Sequence, residues 1–178
     1  SNYDSVFAVI LGTGVGAGYS LNKKIIVGPN KLTGEWGQNP IPGPMDDYEK
    51  NVKRHCGRIG AIEVFLSGPG LENYYRYKTN SKKTSKEIVT LFNENNSHAL
   101  EVMDTYFERI ARSFSTFVNI LDPDIIVCGG GMSEIDNIYD EIPKRIIPYI
   151  ASNFFLTPIV KAKHGSSSGV RGAAHLWN

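Results

Sequence analysis

The sequence predicts an α+β (α/β) fold, a mixed sheet flanked by helices. Three observations point to it. Short apolar segments separated by a glycine-rich turn and an Asn22-Lys23 turn open the chain as a meander. Further apolar runs bounded by turn residues recur at Ile125-Ile126-Val127-Cys128 and at Pro158 to Ala162. Between them Leu100, Met103, Phe107, Ile110, Phe114, Phe117 and Leu121 fall at three- and four-residue steps. That spacing puts them on one face of a long helix, and such a stripe is far more often a core face than a ligand groove or a coiled-coil seam.

Val6 to Leu11 is apolar throughout and is stopped by Gly12, so it reads as a buried strand. Gly12 to Gly18 reads as a tight turn. Tyr19 to Leu21 and Lys24 to Val27 follow as the second and third strands. Residues 28–60 are rich in Gly, Pro, Asn and charge and read as a long loop, a length that is usually functional in a compact domain. Helical character resumes at Ala61 to Leu66, and Ser67-Gly68-Pro69-Gly70 leads into a helix through about Tyr77. Thr84-Ser85-Lys86-Glu87 is a capping-box pattern that opens a helix ending near Asn93. Asp122-Pro123-Asp124 ends the long striped helix. After the strand at 125–128 come Gly129-Gly130-Gly131 and a helix from about Asp136, with Pro143 marking an interruption. Pro158 to Ala162 reads as the last strand and Gly169 to Leu176 as a closing helix. The order βββ-α-β-α-β-α, a meander followed by βα crossovers, is the ribonuclease-H-like plan. There is no internal repeat and no linker long enough to divide the 178 residues, so one domain is expected.

Composition narrows the partners. Hydrophobic residues make up 41% of the chain, enough to support a core. A formal net charge of +1 gives no electrostatic footprint for nucleic acid or an anionic membrane. No apolar run approaches the ~20 residues of a membrane-spanning helix, and no signal-peptide pattern opens the chain. Cys56 and Cys128 are the only cysteines, far apart in sequence. Free thiols in a reducing, cytoplasmic compartment are the plain reading.

Chemistry concentrates in three places. Gly12-Thr13-Gly14-Val15-Gly16 ends a strand with several unobstructed backbone N–H groups and one hydroxyl, a nest suited to phosphate oxygens. A plain hairpin with flexible glycines fits the same residues. No Gly-Lys-Ser/Thr follows, so it is not a P-loop, and the strand-like continuation argues against a dinucleotide fold. Gly129-Gly130-Gly131, between a strand and a helix, offers amides to a nucleotide or serves only close packing. Glu35 and Gln38, in Gly34-Glu35-Trp36-Gly37-Gln38, together with Glu63 suit hydrogen bonding to vicinal hydroxyls, although lone glutamates are usually surface residues. His98 and His175 have no carboxylate or cysteine at ligand spacing and read as surface histidines. Lys161, Lys163 and Arg171 could approach phosphate, but solvation at a strand edge or helix face is the default reading.

Taken together, the glycine loop, Gly34-Glu35-Trp36-Gly37 and Cys56-Gly57-Arg58-Ile59-Gly60-Ala61-Ile62-Glu63 resemble the signature of the ROK family of repressors and sugar kinases. Asn119 to Val127, Gly129 to Ser133 and Lys161 to Ala174 resemble most its manno(fructo)kinase branch. The resemblance implies one lobe of an actin-like ATPase fold, the hexokinase type. It implies that Gly12, Thr13, Gly14 and Gly16 grip ATP phosphates and that Gly129, Gly130 and Gly131 meet the adenosine. Glu35, Gln38 and Glu63 would lie at sugar hydroxyls. The implied reaction is phosphorylation of a hexose, fructose first, by ATP with Mg²⁺, in a protein that forms homodimers. The family's catalytic aspartate, in an Asn-x-Asp motif, would precede residue 1. This chain would then be the C-terminal lobe, would contain no catalytic base and would be inactive alone. Two alternatives share the resemblance: the effector-binding part of a ROK repressor, and a sugar-binding pseudokinase.

One departure from the pattern is chemical. Kinases of this family hold a structural zinc with the histidine of Gly-Glu-x-Gly-His and three cysteines of Cys-x-Cys-Gly-x-x-Gly-Cys. Here Gln38 replaces the histidine, Arg54 and Ala61 replace two cysteines, and Cys56 alone remains; His55 beside it leaves the count short. A structural zinc needs four N/S ligands, so none is expected. The long loop must then be held by packing and hydrogen bonds, or be mobile. Ser166 also stands where the family usually has a carboxylate, a change without a physical account.

Overall fold

The computed structural model describes residues 3–163 and 165. The expected closing helix at 169–176, with Ser166, Arg171 and His175, lies outside the described residues. A five-stranded sheet holds β1 (Ser5–Leu11), β2 (Val15–Leu21), β3 (Lys24–Ile25), β4 (Ile125–Gly129) and β5 (Ile159–Lys161) in the order β3-β2-β1-β4-β5. β1, β2 and β3 are antiparallel neighbours, whereas β4 runs parallel to β1 and β5 parallel to β4. The sheet is therefore mixed, a meander extended by crossovers, as the sequence predicts. The helices are α1 (Glu63–Leu66), α2 (Gly68–Thr79), α3 (Ser85–Asn93), α4 (Ser97–Leu121) and α5 (Asn137–Arg145). None of the described helices is long and apolar enough to cross a membrane.

Local chemistry accounts for the boundaries. Asn22 and Lys23 both have positive φ, 50° and 62°, which is the hairpin geometry that matches strand twist. The Thr84 hydroxyl accepts the Glu87 N–H at 3.2 Å while the Glu87 carboxylate accepts the Thr84 N–H at 2.8 Å, completing the capping box. Ser67 caps α2 through the Gly70 N–H, and Pro69 sits in the first turn, where its missing N–H costs nothing.

Several boundaries differ from expectation: α1 begins at Glu63 rather than Ala61, β5 is Ile159–Lys161 rather than Pro158 to Ala162, and three further differences have a local cause. The first turn is only Gly12-Thr13-Gly14, because Gly12 N–H closes on Gly14 O at 3.0 Å and Leu11 already pairs with Val15. Val15 to Gly18 thus belong to β2. β3 stops at Ile25, continued only by the single bond from Ile26 N–H to Tyr19 O. Pro143 lies inside α5 without ending it. The proline removes one hydrogen bond, but Ile138, Ile142 and Ile146 on the same face are fully buried and hold the helix down.

The core lies between the sheet and α4. Met103, Ile110 and Phe114 are fully buried, Phe7 stacks on Phe117 at 4.0 Å between ring centroids, and Trp36 meets Phe114 and Phe117 edge-on. The stripe frays at its ends, where Leu100 is exposed and Leu121 half-buried.

Behind α4 lies the anchor of the long loop. Arg109 is 1% exposed and Glu49 2%. Arg109 Nε donates to Glu49 Oε1 at 2.8 Å, Arg109 Nη2 reaches Asp46 Oδ2 at 3.1 Å, and Arg112 donates to the same Glu49 oxygen and to Pro44 O. The Arg109 guanidinium also lies 4.0 Å from the Tyr74 ring centroid. Residues 44–49 are held to α4 by this charged cluster, which resolves how the loop is fastened.

Gly130 shows why one of the glycines is required. Its φ is +88°, and a Cβ there would lie 2.3 Å from Leu11 O. Gly130→Ala is expected to destabilise the protein by about 2–4 kcal/mol through strain and overlap, read as a lower denaturant midpoint.

Candidate functional site

The Gly12-Thr13-Gly14 turn sits at the C-terminal end of β1, the end at which β4 also finishes. Gly12 O accepts the Gly68 N–H at 2.8 Å, which ties the turn to the start of α2. A cavity of about 750 Å³ opens here. Gly12 and Thr13 line one wall, Gly68, Pro69 and Glu72 of α2 the next, and Ser85, Lys86, Val89 and Thr90 of α3 another. Gly131, Met132, Glu134 and Ile135, from the 3-10 turn after β4, close it. Pro69, Val89, Met132 and Ile135 supply apolar surface to the lining, and Thr13 supplies a hydroxyl. Glu72 is engaged by the Ser85 N–H at 2.8 Å, which fixes α3 against α2, and Glu134 pairs with Lys161 at 3.1 Å.

Glu63 lies at the same turn. Its Oε2 accepts the Val15 N–H at 3.2 Å, and its Oε1 accepts Arg54 Nε–H at 2.9 Å. A Cβ at Gly14 would lie 3.0 Å from Glu63 Oε2, so glycine there lets the carboxylate close on the strand. The carboxylate and the cavity thus share one reversal of the chain.

Glu35 precedes the 3-10 turn Trp36–Gln38 and Gln38 ends it, and the turn is seated by buried Trp36. They line a second cavity of about 810 Å³ with Asn39, Arg58 and the apolar side chains of Phe7, Tyr19 and Ile120. Glu63 does not line that cavity. The two segments are neighbours all the same, since Ile62 N–H donates to Asn39 O at 2.9 Å and Pro40 bridges to Ala61.

The expected phosphate and nucleotide residues are divided similarly. Gly12, Thr13 and Gly131 line the first cavity and Gly14 completes its turn. Gly16 is in β2 opposite Ile10, Gly129 ends β4 against Ile10 and Ala162, and Gly130 packs on Leu11. Sequence reasoning missed the contribution of α3. The capping box that starts α3 was the signal, but nothing local to it says that the helix borders a cavity.

The residues at the expected zinc position do not fit that metal. Among the described residues, no three His, Cys, Asp or Glu side chains converge as a metal-binding group. Ala61 has no donor, and the Arg54 guanidinium stands beside Cys56, with Nη1 3.6 Å from Sγ. The Arg58 backbone N–H and the Arg54 guanidinium hold the exposed Cys56 thiol below its ordinary pKa. Burial pushes the Cys128 thiol up to about 12, leaving it inert in β4.

A model of the ROK family matches residues 1–178. An N-acetyl-D-glucosamine kinase of Vibrio atlanticus (strain LGP32) is 39% identical over 176 residues, which are 97% of this chain and 58% of that protein. An N-acetyl-D-glucosamine kinase of Yersinia enterocolitica (serotype O:8 / biotype 1B) is 35% identical over 98% of this chain and 59% of its own length. The chain therefore spans just under three-fifths of these curated relatives. Neither is a fructokinase, so the expected fructose preference finds no support. Among solved structures, a ROK family glucokinase from Streptomyces griseus in complex with glucose and AMPPNP superimposes with a TM-score of 0.86 at 21% identity, covering 99% of this chain and 61% of that one. That likeness shows a shared fold, a mixed sheet flanked by helices.

Proposed function

The chain belongs to the ROK family, and from that premise we propose that it forms the nucleotide-binding lobe of a sugar kinase that phosphorylates N-acetyl-D-glucosamine with ATP. The observation that carries the reading is the shared turn: the cavity lined by Gly12 and Thr13 opens beside it, and Glu63 is held by the Val15 N–H directly after it. A phosphoryl donor gripped by the turn and an acceptor hydroxyl bound to Glu63 would be neighbours. Phosphoryl transfer asks a protein mainly for that juxtaposition and for charge stabilisation. Thr13, with the turn amides other than the Gly12 N–H that closes on Gly14 O, would donate to phosphate oxygens, with Mg²⁺ supplying the counter-charge. Glu63 would accept from sugar hydroxyls, with Glu35 and Gln38 completing the sugar contacts from the adjoining segment. The base that takes the hydroxyl proton would be the aspartate of the Asn-x-Asp motif that the family resemblance implies. The choice of amino sugar over fructose is supported by the names of the relatives at 39% and 35% identity.

The test is ATP-dependent turnover by the full-length protein on N-acetylglucosamine, glucose, mannose and fructose. The largest kcat/KM is expected with N-acetylglucosamine. A preference for fructose would overturn the substrate assignment and keep the kinase. Sugar binding without turnover on any of the four would sink the kinase reading in favour of an effector-binding or pseudokinase role.

A further inference from the structure

We infer that Arg54 is a positioning residue for the sugar site, a guanidinium clamp that fixes the Glu63 carboxylate at a place whose residues do not suit a metal. The inference rests on the reading of Glu63 as a sugar-hydroxyl acceptor. Its geometry comes from four features.

The first is the platform. Residues 53–59 form a closed hairpin: Lys53 bridges to Ile59, Arg54 N–H donates to Arg58 O at 2.8 Å, and Gly57 N–H returns to Arg54 O at 2.8 Å. The hairpin is itself bonded down, with Gly60 N–H on Val52 O and Ile41 N–H on Gly60 O. Arg54 therefore projects from a backbone with little freedom, although it lies in an otherwise irregular stretch. The second is the contact. Nε–H meets Glu63 Oε1 at 2.9 Å, with both side chains largely withdrawn from solvent at 18% and 22% exposure. An ion pair of this kind is less screened than the exposed pairs elsewhere on the surface.

The third is the accounting of lone pairs. Arg54 takes one acceptor site on Oε1 and Val15 N–H takes one on Oε2. Each carboxylate oxygen has two, so one remains on each. Two donors of fixed direction, one on each oxygen, leave the carboxylate plane no rotation. The two free sites then point as a rigid pair, the arrangement that two neighbouring hydroxyls require. Without Arg54, only the Val15 N–H would hold the group, and the glutamate would turn about its terminal bond. Ordering that rotor would then fall to the sugar on binding.

The fourth is what surrounds the clamp. Cys56 lies on the far side of the guanidinium, 3.6 Å from Nη1, and Ala61 contributes no donor. A divalent metal would join several donors at this position. Here one planar cation joins the hairpin thiol, which is one of those donors, to the site carboxylate. Arginine suits this place better than lysine because the guanidinium presents several N–H groups in one plane at fixed angles.

The experiment is sugar and ATP kinetics on the full-length protein, comparing wild type with Arg54→Ala and Arg54→Lys. Arg54→Ala is expected to raise the sugar KM about tenfold, the loss of one charge-assisted hydrogen bond, with the ATP KM within about twofold of wild type. Arg54→Lys is expected to fall between the two. Millimolar methylguanidinium, far below denaturing concentration, is expected to lower the sugar KM of Arg54→Ala several-fold and to leave wild type unchanged. A wild-type sugar KM in Arg54→Ala would overturn the inference. So would sugar and ATP KM values that rise together and respond to neither lysine nor methylguanidinium, since that pattern belongs to a scaffold residue. A wild-type enzyme with no turnover on any hexose is the separate result that removes the sugar-kinase reading itself.

Discussion

Glu63→Gln is expected to lower kcat/KM for the sugar about 100-fold or more while leaving the folded state intact. Both oxygens of Glu63 act as acceptors, one from Arg54 Nε–H and one from Val15 N–H. A glutamine amide has one acceptor oxygen and one NH₂ donor. Whichever way the amide is placed, its NH₂ group faces an N–H donor, either the guanidinium or the strand amide. The side chain must leave one of the two, so the variant loses both its charge and its orientation. A site built to hydrogen-bond hydroxyls loses far more than a single contact when its polar group is mispaired. Steady-state kinetics at varied sugar, with a melting curve as control, gives the comparison. A kcat/KM within about twofold of wild type would remove Glu63 from the sugar site.

Glu49→Ala is expected to have the largest effect on stability, about 3–5 kcal/mol, read as a fall in the denaturant midpoint. Glu49 Oε1 receives both Arg109 and Arg112, and Arg109 is 1% exposed. Removing the carboxylate leaves two guanidinium groups in a buried place. Asp46 reaches only Arg109, from the solvent side. The penalty is therefore an uncompensated buried charge rather than one lost hydrogen bond, and the loop from Pro44 to Lys50 loses its anchor on α4 at the same time. Glu49→Gln, which keeps the volume, is expected to cost nearly as much. An ordinary surface ion pair would cost under about 1 kcal/mol, so a shift that small would contradict the description of this cluster as the fastening of the loop.

These two residues also mark what could be read from the sequence. The meander, α4 and the Thr84 capping box rest on local patterns: short apolar runs between turn residues, a helical stripe, and a cap three residues from its partner. Those patterns fix the order of elements and the sheet plan without any long-range contact. Glu49 meets Arg109 across 60 residues. In the sequence Arg109 is a charge beside Ile110, and a charge on an amphipathic helix reads as solvated. Only the third dimension shows that it turns inward, to a carboxylate and the Tyr74 ring.

The site divides along the same line. Gly12, Thr13 and Gly14 announced a close-approach turn, and the structure opens a cavity at it. Glu63 stood out through its motif, but its partner Arg54 appeared in the sequence only as a missing cysteine. The roles of Gly129 and Gly130 were ambiguous for a physical reason, since glycine serves a ligand's approach and a neighbouring strand's approach equally well. At Gly130 the neighbour is Leu11 O. Ser85, Lys86, Val89 and Thr90 were invisible as site residues because α3 borders the cavity only through the way Glu72 fastens it to α2.

The most direct measurement is a structure of the full-length protein with a non-hydrolysable ATP analogue and N-acetylglucosamine bound together. The terminal phosphate is expected within hydrogen-bond reach of Thr13 and its turn, and a sugar hydroxyl on Glu63 with Arg54 still paired to that carboxylate. A sugar bound out of reach of Glu63, or a nucleotide seated away from the Gly12–Gly14 turn, would contradict it.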